Sequence, residues 1–277
     1  MRALLLLGLL CGLAGGEEGA AAPWRHRIAG ALAGTEDPGV VLQAASQALD
    51  AAGAEGRDLA DALHPLALGL QAGGLACADE AALGLGRVRL ERGETLALVA
   101  RRQAINADHL LLLNPGLDPR RVAVGHRLKV LDNRGGTLAI LVKKSWFRCL
   151  LVRNLPGGRR VLAGCFPVGI GRPESPTPTG ATTIAVRARD MEWRDPETGR
   201  VHPPGSPGNI LGGYWLGLAH GAAAPQFRSI GLHGYTAEAP EAWLNRPSSH
   251  GCLRLRQDDI VIVHAVARTH MPVMVVE

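Results

Sequence analysis

A cysteine near the carboxyl end of the chain lies in a stretch whose residue types suit nucleophilic catalysis. Ser249, His250 and Gly251 come directly before Cys252, and His233 lies nineteen residues before it. A thiolate is the working nucleophile of cysteine enzymes, and a neighbouring imidazole lowers the thiol pKa or takes its proton. The glycine lets the backbone bend and bares amide N–H groups that can hold an oxyanion. The stretch therefore predicts acyl transfer through Cys252.

Alternation along a strand predicts which side chains share the pocket. His250, Cys252 and Arg254 fall on one face of an extended chain, so imidazole, thiol and guanidinium are expected to meet there. Three other interpretations stay open: a turn without function, a structural half-cystine, and a zinc site in which His233 joins His250 and Cys252. Because the stretch offers no clear fourth ligand and no acidic catalytic partner, we predict neither a metal nor a cofactor.

The surrounding pattern is typical of short strands. Strands are predicted over 138–143, 148–152 and 160–168, with a hairpin turn at Pro156-Gly157-Gly158. Residues 195–208 form a polar insertion with four prolines. A loop of that size is often a lid or a substrate wall.

The other cysteines bear on the redox state of the protein. Cys149 and Cys165 lie at equal distances from Gly157, so a hairpin centred there would place them opposite each other. A disulfide and two buried thiols both fit this spacing, and both alternatives stay open. A nucleophilic cysteine has to remain unpaired, and Cys252 is the candidate for that state.

The amino terminus is typical of an exported protein. Met1-Arg2 is followed by an apolar run over residues 3–10 and by small residues, which predicts a signal peptide over 1–16. The run is too short for a membrane span of about 20 apolar residues, so we expect no transmembrane helix in the mature protein. Cys11 leaves lipidation as an alternative. The predicted location is the periplasm or cell envelope.

Composition limits the class of protein. Of the 277 residues, 47% are hydrophobic and 20% charged, which allows buried cores in roughly two or three domains. The net charge of +5 suits an acidic polymer such as bacterial envelope material. No Lys/Arg run with interleaved aromatic residues is present, so nucleic acid is not an expected partner. We expect a monomer.

Residues 17–85 are predicted to be a helical segment. Asp37-Pro38 is a typical helix start, and apolar residues follow at helical spacing on both sides of Gly56. Residues 37–72 are therefore predicted to form an antiparallel helix pair. We expect it to pack or to act as a spacer, without chemistry of its own.

Residues 86–132 are predicted to form a strand–helix–helix–strand unit, in which Asn114-Pro115-Gly116 ends the second helix. The stretch resembles a LysM (lysin motif) module along its whole length, from the Gly93-Glu94-Thr95-Leu96 turn to the Val124-Gly125-x-x-Leu128 return. Such modules bind N-acetylglucosamine-containing glycans such as peptidoglycan.

The LysM resemblance implies glycan contacts at two loops. By position, the contacting residues are Gly93, Glu94, Thr95 and Leu96 in the first loop and Leu113, Asn114, Pro115 and Gly116 in the second. Glu94 stands where the family usually has Asp or Asn. A degenerate module kept for packing is the alternative.

Residues 136–277 resemble the L,D-transpeptidase catalytic domain. The family signature is an upstream His, a gap, and then Ser/Thr-His-Gly-Cys, and fifteen residues separate His233 from Ser249 here. Further marks follow in the family's order: Phe166-Pro167-Val168-Gly169, Thr177-Pro178-Thr179-Gly180, Asn209-Ile210-Leu211-Gly212 and Trp215-Leu216. The implied fold class is α+β multidomain, with a mainly-β catalytic domain, a small βααβ LysM-like module and an N-terminal helical segment.

The resemblance also implies a role for each motif residue. Cys252 would be the nucleophile and His233 its general base, oriented by the backbone carbonyl of Gly234. Backbone N–H groups of Gly251 and Cys252 would hold the oxyanion, and His250 would line the pocket.

Three further side chains would shape the pocket. Ser249 would support it through a hydrogen bond. Arg254 would contact a substrate carboxylate or the loop beside it. Tyr214 would lean over the site or belong to the core.

The substrate that the resemblance implies is the stem peptide of peptidoglycan. Cys252 would attack the carbonyl of the L-centre of the diamino acid at stem position three and expel the D-residue at position four. Transfer to an amine of a neighbouring stem would give a 3→3 cross-link, without a cofactor. Two alternatives stay open: release of the same acyl-enzyme by water, as in an L,D-carboxypeptidase, and a non-catalytic peptidoglycan-binding protein.

Overall fold

The computed structural model describes residues 21–53, 56–72, 74–132 and 136–277. The predicted signal peptide and Cys11 lie outside the described residues. The chain divides into two compact units, one made of residues up to 137 together with 151–165, and the other of 138–150 together with 166–277. Within the described ranges, no helix is long and apolar enough to cross a bilayer.

Three helices begin the first unit: α1 (Ala22–Ala33), α2 (Pro38–Ala51) and α3 (Gly56–Gln71). The two helices predicted over 37–72 are confirmed as α2 and α3. Helix α2 starts at Asp37, whose side chain accepts a hydrogen bond from Val40 N at 3.0 Å. The sequence reasoning missed α1, because its Ala- and Arg-rich sequence lacks an apolar stripe at helical spacing.

A strand–helix–helix–strand unit follows, as predicted, in β1 (Leu85–Arg89), α4 (Leu96–Arg102), α5 (Ala107–Leu113) and β2 (Arg127–Leu131). Strands β1 and β2 pair antiparallel, with Leu85 opposite Leu131 and Arg89 opposite Arg127. The core between helices and strands is apolar and includes Leu90, Val99, Leu110 and Leu128. Membership of this unit in the LysM family stays a prediction.

The rest of the chain is mainly β. Its elements are β3 (Thr137–Lys143), β4 (Arg148–Asn154), β5 (Arg160–Pro167), β6 (Ile170–Gly171), β7 (Gly180–Arg189), β8 (Trp193–Arg194), β9 (Val201–His202), β10 (Tyr214–Leu218), β11 (Gly231–Gly234), α6 (Pro240–Trp243), β12 (Pro247–Ser249), β13 (Leu253–Leu255), α7 (Gln257–Val266) and β14 (Pro272–Val276). The predicted strands at 138–143, 148–152 and 160–168 are confirmed as β3, β4 and β5.

Eight of these strands form one mixed sheet in the order β13-β11-β10-β7-β14-β3-β4-β5. The pairs β11–β13 and β14–β3 are parallel, whereas β10 pairs antiparallel with both β7 and β11. Two further pairs lie outside this sheet, β6 with β12 and β8 with β9. The last pair is a hairpin whose turn and second strand lie in the predicted polar insertion.

Strand β5 is the last in the sheet order, and polar side chains of α2 and α3 bond to its backbone. Ser46 Oγ accepts a hydrogen bond from Leu162 N at 3.1 Å, and His64 Nδ1 accepts one from Cys165 N at 2.9 Å. Gln71 Nε2 donates to the carbonyl of Ala163. An edge strand exposes backbone groups that can pair with another chain, so these helices cover an edge that would otherwise be open.

Cys149 and Cys165 are both buried, and neither forms a disulfide. Of the two alternatives drawn from their spacing, the structure therefore shows the one without a disulfide. Burial raises the pKa of Cys149 to about 12, with a smaller contribution from the nearby charge of Asp259.

Candidate active site

The pairing of β10, β11 and β13 brings a set of functional side chains to one face of the sheet. His233 of β11 lies opposite Trp215 of β10 and opposite Arg254 of β13. Paired residues in a sheet point to the same side, and so do alternate residues of one strand. Cys252 comes two residues before Arg254 and therefore belongs to the same face. Thiol, imidazole and guanidinium thus converge there.

The thiol of Cys252 is held at the end of β11. Its Sγ lies 3.6 Å from the carbonyl oxygen of Ser229, to which the S–H donates. The backbone N–H of Gly231 hydrogen-bonds to the same sulfur. Burial raises the pKa of Cys252, and the Gly231 hydrogen bond and the Arg254 charge act in the opposite direction. At neutral pH the Cys252 side chain is therefore a thiol, and forming its thiolate would need a base.

His233 is buried and suited to act as that base. Burial lowers its pKa to about 4, and the Arg254 charge adds to the shift, while the bond to the Gly234 carbonyl opposes it. Its Nδ1 lies 2.5 Å from the Gly234 carbonyl oxygen. A carbonyl only accepts, so Nδ1 carries the proton and Nε2 is left as the basic nitrogen. The ring also stacks on Trp215, with ring centroids 5.8 Å apart.

The motif bends sharply at Gly251, which has a φ of +115°. A Cβ at this position would lie 2.7 Å from the Ile230 side chain, so only glycine fits the turn. The buried Ser249 hydroxyl spans it, donating to the Cys252 carbonyl at 2.6 Å and accepting from Gly251 N at 3.1 Å. In this state, the Gly251 N–H is directed at Ser249 Oγ.

Because of this bend, His250 does not share a strand with Cys252. Ser249 ends β12, which pairs with β6, whereas Leu253 begins β13 of the large sheet. The structure thus places Cys252 and Arg254 on the predicted common face but places His250 off it. The His250 side chain is 41% exposed, and its Nε2 contacts the guanidinium of Arg172 and lies 2.9 Å from Glu197 Oε1.

Arg254 is a buried cation at the floor of the site. Its Cζ lies 3.7 Å from the centroid of the Tyr235 ring, a cation–π contact, and its Nη1 donates to the Ser248 carbonyl at 2.9 Å. Burial lowers the pKa of Arg254, and nearby Tyr235 and Glu238 oppose that shift. The Arg254 side chain thereby joins β13, which follows Cys252, to β12, which ends at Ser249.

The aromatic residues of the site are Trp215, which the sequence reasoning used only as a mark of the family resemblance, and Tyr235, which it did not select. Tyr214 precedes Trp215 on β10 and so points to the opposite face. Its ring packs edge-on against His264 with centroids 5.0 Å apart, and the Arg189 guanidinium lies 5.2 Å from its centroid. The structure therefore does not bring Tyr214 to the face of Cys252. Trp215 can be found only from the pairing of β10 with β11, because that register places Trp215 directly opposite His233.

The predicted glycan-contact residues lie in the two loops of the βααβ unit. Gly93 and Gly116 both have a φ of +82°, which glycine favours. Thr95 caps α4 by accepting from Leu98 N at 3.2 Å. The Glu94 carboxylate accepts from Glu91 N at 2.9 Å and pairs with Arg102.

Asn114 uses its side-chain amide inside this unit. Its Oδ1 accepts from Lys129 N, and its Nδ2 donates to the carbonyls of Lys129 and Leu110, each at 2.8 Å. Asn114 therefore joins the end of α5 to β2 through its side-chain amide. Glycan binding by the two loops stays a prediction.

Over the parts of the chain that the structure describes, no group of three or more His, Cys, Asp or Glu residues is arranged to hold a metal ion.

A thiol, an imidazole and a buried guanidinium on one face are groups that cysteine acyl transfer can use. Residues 139–275 match the YkuD family model, described as an L,D-transpeptidase catalytic domain. The match covers just under half of the chain and is to the catalytic domain alone. No curated protein matches the chain.

Solved structures of L,D-transpeptidases resemble the chain at low identity. One from Mycobacterium tuberculosis H37Rv is 18% identical with a TM-score of 0.38, over 57% of this chain and 75% of the other. One from Stackebrandtia nassauensis is 18% identical with a TM-score of 0.35, over 67% and 68%. The C442S mutant of the Enterococcus faecium enzyme is 16% identical with a TM-score of 0.36, over 53% of each.

Proposed function

We propose that this protein is a cysteine-dependent L,D-transpeptidase that forms 3→3 cross-links between peptidoglycan stem peptides. The observation that carries the proposal is the shared sheet face of Cys252, His233 and Arg254, with a neutral imidazole whose Nδ1 is bound to the Gly234 carbonyl. The YkuD family match supports the choice of substrate class.

In the proposed acylation, Nε2 of His233 takes the proton from Cys252 as the sulfur attacks. The sulfur bonds to the carbonyl carbon of the L-centre of the diamino acid at stem position three. The oxyanion that develops is held by the N–H of Cys252 and by that of Gly251 once it turns from Ser249 Oγ. The amide C–N bond then breaks, and the D-residue at position four leaves with the proton from His233.

In the proposed deacylation, an amine of a neighbouring stem attacks the thioester while His233 accepts its proton. The C–S bond breaks, the new amide forms, and the proton returns to the Cys252 sulfur. Water in place of the amine gives the hydrolytic alternative, an L,D-carboxypeptidase, through the same intermediate. A non-catalytic peptidoglycan-binding protein would need no shared face of thiol and base.

The other parts of the chain are proposed to bring the enzyme to its polymer. Residues 1–16 would direct export to the periplasm or cell envelope, and residues 86–132 would bind glycan strands. A glycan-binding module raises the local concentration of stem peptides at residues 136–277. Residues 17–85 would pack as a helical segment. We propose a monomer.

The test is mass spectrometry of products from a disaccharide-tetrapeptide donor incubated with the protein and with its Cys252→Ala variant. Cross-linked dimers made only by the unmutated protein support the transpeptidase. Tripeptides alone would favour the carboxypeptidase. An unchanged donor with folded, reduced protein would contradict both and favour the binding protein.

A further inference from the structure

One side of the two-stranded sheet in the βααβ unit carries four cations in neighbouring positions. The register of β1 and β2 pairs them as Arg87 with Lys129 and Arg89 with Arg127. Paired residues point to the same side of a sheet, and so do alternate residues of one strand. Leu128, which lies between two of them, points the other way and belongs to the apolar core of the unit. We call the side with the four cations the cationic face.

The fold itself partly neutralises one pair of this face. Lys129 is buried, and its Nζ donates to the Leu70 carbonyl and lies 3.7 Å from Glu80 Oε1. The guanidinium of Arg87 contacts the same carboxylate at 2.7 Å. One carboxylate therefore serves both cations of this pair.

The second pair, Arg89 and Arg127, lacks such a counterion. Both residues are exposed, and neither takes part in an ion pair or a side-chain hydrogen bond with the residues that the structure describes. Like charges directly opposite each other in antiparallel strands destabilise the pairing. The unit thus keeps two mutually repelling guanidinium groups at its surface, an arrangement that a bound anion would stabilise.

Phosphate is an anion that suits this pair of arginines. Opposite residues of antiparallel strands have Cβ atoms about 5 Å apart, so the two side chains can hold one group between them. The planar fork of a guanidinium forms two parallel hydrogen bonds to phosphate. Phosphate oxygens are arranged tetrahedrally, so two forks can approach from two sides, whereas a planar carboxylate suits one fork.

Positive charge extends from this pair over the rest of the unit. Residues 86–132 hold nine Lys and Arg residues against five Asp and Glu residues, so they contribute +4 of the chain's net charge of +5. Further exposed arginines lie on other elements: Arg92 after β1, Arg101 on α4 and Arg120 before β2. A potential that covers several elements attracts a repeating anion more strongly than a single one. The unit therefore suits a polymer with regularly spaced phosphates.

Nucleic acid and membrane surfaces match this unit less well. Residues 86–132 contain no Phe, Tyr or Trp, so nucleobases find no aromatic side chain to stack on. Membrane surfaces are bound by groups of apolar side chains together with cations. In the turn before β2, Val124 is exposed, but its neighbours Ala123 and Gly125 add little apolar area.

We propose that the cationic face binds a phosphodiester-linked anionic polymer of the cell envelope, with one phosphate held between Arg89 and Arg127. This surface differs from the two loops that are proposed to contact glycan, and it does not depend on Cys252. The βααβ unit then holds two kinds of polymer, a neutral glycan through its loops and an anionic polymer through its sheet.

The first test measures binding of poly(glycerol phosphate) to the full protein by titration calorimetry. Arg89→Gln and Arg127→Gln should each weaken binding about fivefold, and each should reduce the salt dependence of the Kd by about one phosphate contact. Arg89→Lys keeps the charge but loses the fork, so it should weaken binding only about twofold. A Kd that neither glutamine substitution changes would overturn the proposal.

The matched control is Arg200→Gln, which removes an exposed arginine from the β8–β9 turn. It should leave the Kd for poly(glycerol phosphate) nearly unchanged. A loss equal to that of Arg89→Gln would mean that net charge alone is responsible, and would overturn a site between the two strands.

Three further probes test the chemistry of the partner: polygalacturonate, phosphatidylglycerol vesicles and N-acetylglucosamine oligomers. Polygalacturonate should bind more weakly than poly(glycerol phosphate), and equal affinity would contradict the preference for phosphate. Vesicles bound through Arg89 and Arg127, without binding of the polymer, would overturn the proposal in favour of a membrane surface. Binding of the neutral oligomers should be the same in all variants, and its loss in Arg89→Gln would assign the arginine to the glycan loops instead.

Thermal unfolding separates binding from a structural role of the arginines. Because the two guanidinium groups repel each other, Arg89→Gln should unfold at the same Tm as the unmutated protein or slightly above it. Poly(glycerol phosphate) should raise the Tm of the unmutated protein and leave that of the Arg89→Gln, Arg127→Gln double variant nearly unaltered. A clearly lower Tm of Arg89→Gln without polymer would contradict the repulsion on which the proposal depends.

Discussion

His233 and Arg254 occupy paired positions of the parallel strands β11 and β13, so the proposed general base and a buried cation lie side by side. Burial lowers the pKa of His233 and raises that of Cys252, and the Arg254 charge acts downwards on both pKa values. It therefore disfavours protonation of the imidazole and favours the thiolate. One cation thus prepares both partners of the proton transfer.

Replacement of Arg254 by Gln should raise the pKa of both Cys252 and His233, because the neighbouring positive charge is lost. The rate of Cys252 alkylation by iodoacetamide, measured between pH 6 and 10, should shift to higher pH and fall several-fold at pH 7. Arg254→Lys keeps the charge and should restore most of the rate.

The exposed Arg256, two residues further on, supplies the control variant Arg256→Gln. An alkylation profile that is the same in Arg254→Gln and the unmutated protein would show that the cation does not act on the thiol. Circular dichroism of each variant separates this outcome from a loss of the fold.

His109 should make the protein less stable in mild acid. Burial, assisted by the Arg153 charge, lowers its pKa to about 3, and its Nε2 is buried without a hydrogen-bond partner among the described residues. The unfolded chain binds a proton near pH 6.5 and the folded chain does not, so stability is lost as the pH falls below 6.5. The loss accumulates towards pH 3 and reaches roughly 4–5 kcal/mol, since one pKa unit corresponds to about 1.4 kcal/mol.

His109→Phe removes this titration, and the Tm should then fall less between pH 7 and pH 5. His126, an exposed histidine of the same βααβ unit, supplies the control His126→Phe, which should keep the unmutated slope. An identical pH dependence in all three proteins would contradict the assignment.

We expect Ser46 to stabilise the protein through its hydrogen bond to the backbone of the edge strand β5. In Ser46→Ala the N–H of Leu162 loses its acceptor in a buried position, which costs about 1–3 kcal/mol. The expected result is a lower Tm with unchanged secondary structure. Gln47→Ala changes an exposed residue of the same helix and should leave the Tm nearly unaltered. A Ser46→Ala protein as stable as the Gln47→Ala protein would mean that water replaces the hydroxyl.

The sequence predicted the elements whose signals are local. Strands β3, β4 and β5, helices α2 and α3, and the two strands and helices between 86 and 132 all follow from turn residues and apolar periodicity. The candidate nucleophile and its candidate base also come from short local motifs, Ser249-His250-Gly251-Cys252 and His233-Gly234. Helix α1 was missed because its burial depends on the neighbouring helices and not on its own pattern.

The parts of the site that depend on register could not be predicted from single stretches. The Trp215 ring stacks on His233 because β10 pairs with β11. Tyr235 directly follows β11, and its ring packs against the Arg254 guanidinium of the neighbouring strand β13. The contact of Glu197 with His250 joins positions 53 residues apart. The bend at Gly251 separates His250 from Cys252, although period-two alternation places them together.

Asp259 should destabilise the folded protein at neutral pH. Its carboxyl lies in the first turn of α7, where burial raises its pKa to about 6 against the influence of Arg256. Its Oδ2 is buried and lacks a hydrogen-bond partner within the described part of the chain. Folded protein therefore keeps the proton up to about pH 6, whereas unfolded chain releases it near pH 3.8. Stability falls as the pH rises through that window, and it stays lower above pH 6.

Asp259→Asn removes the charge and should raise stability at pH 7.5. The pKa shift alone corresponds to roughly 3 kcal/mol, and solvent screening of the partly exposed carboxyl reduces this to about 1–2 kcal/mol. The gain should vanish near pH 4, where the folded carboxyl is already neutral. The measurement is the Tm at both pH values, with Asp258→Asn as the exposed control one position earlier. A gain of equal size at pH 4 and pH 7.5 would show that packing, and not the charge, is responsible.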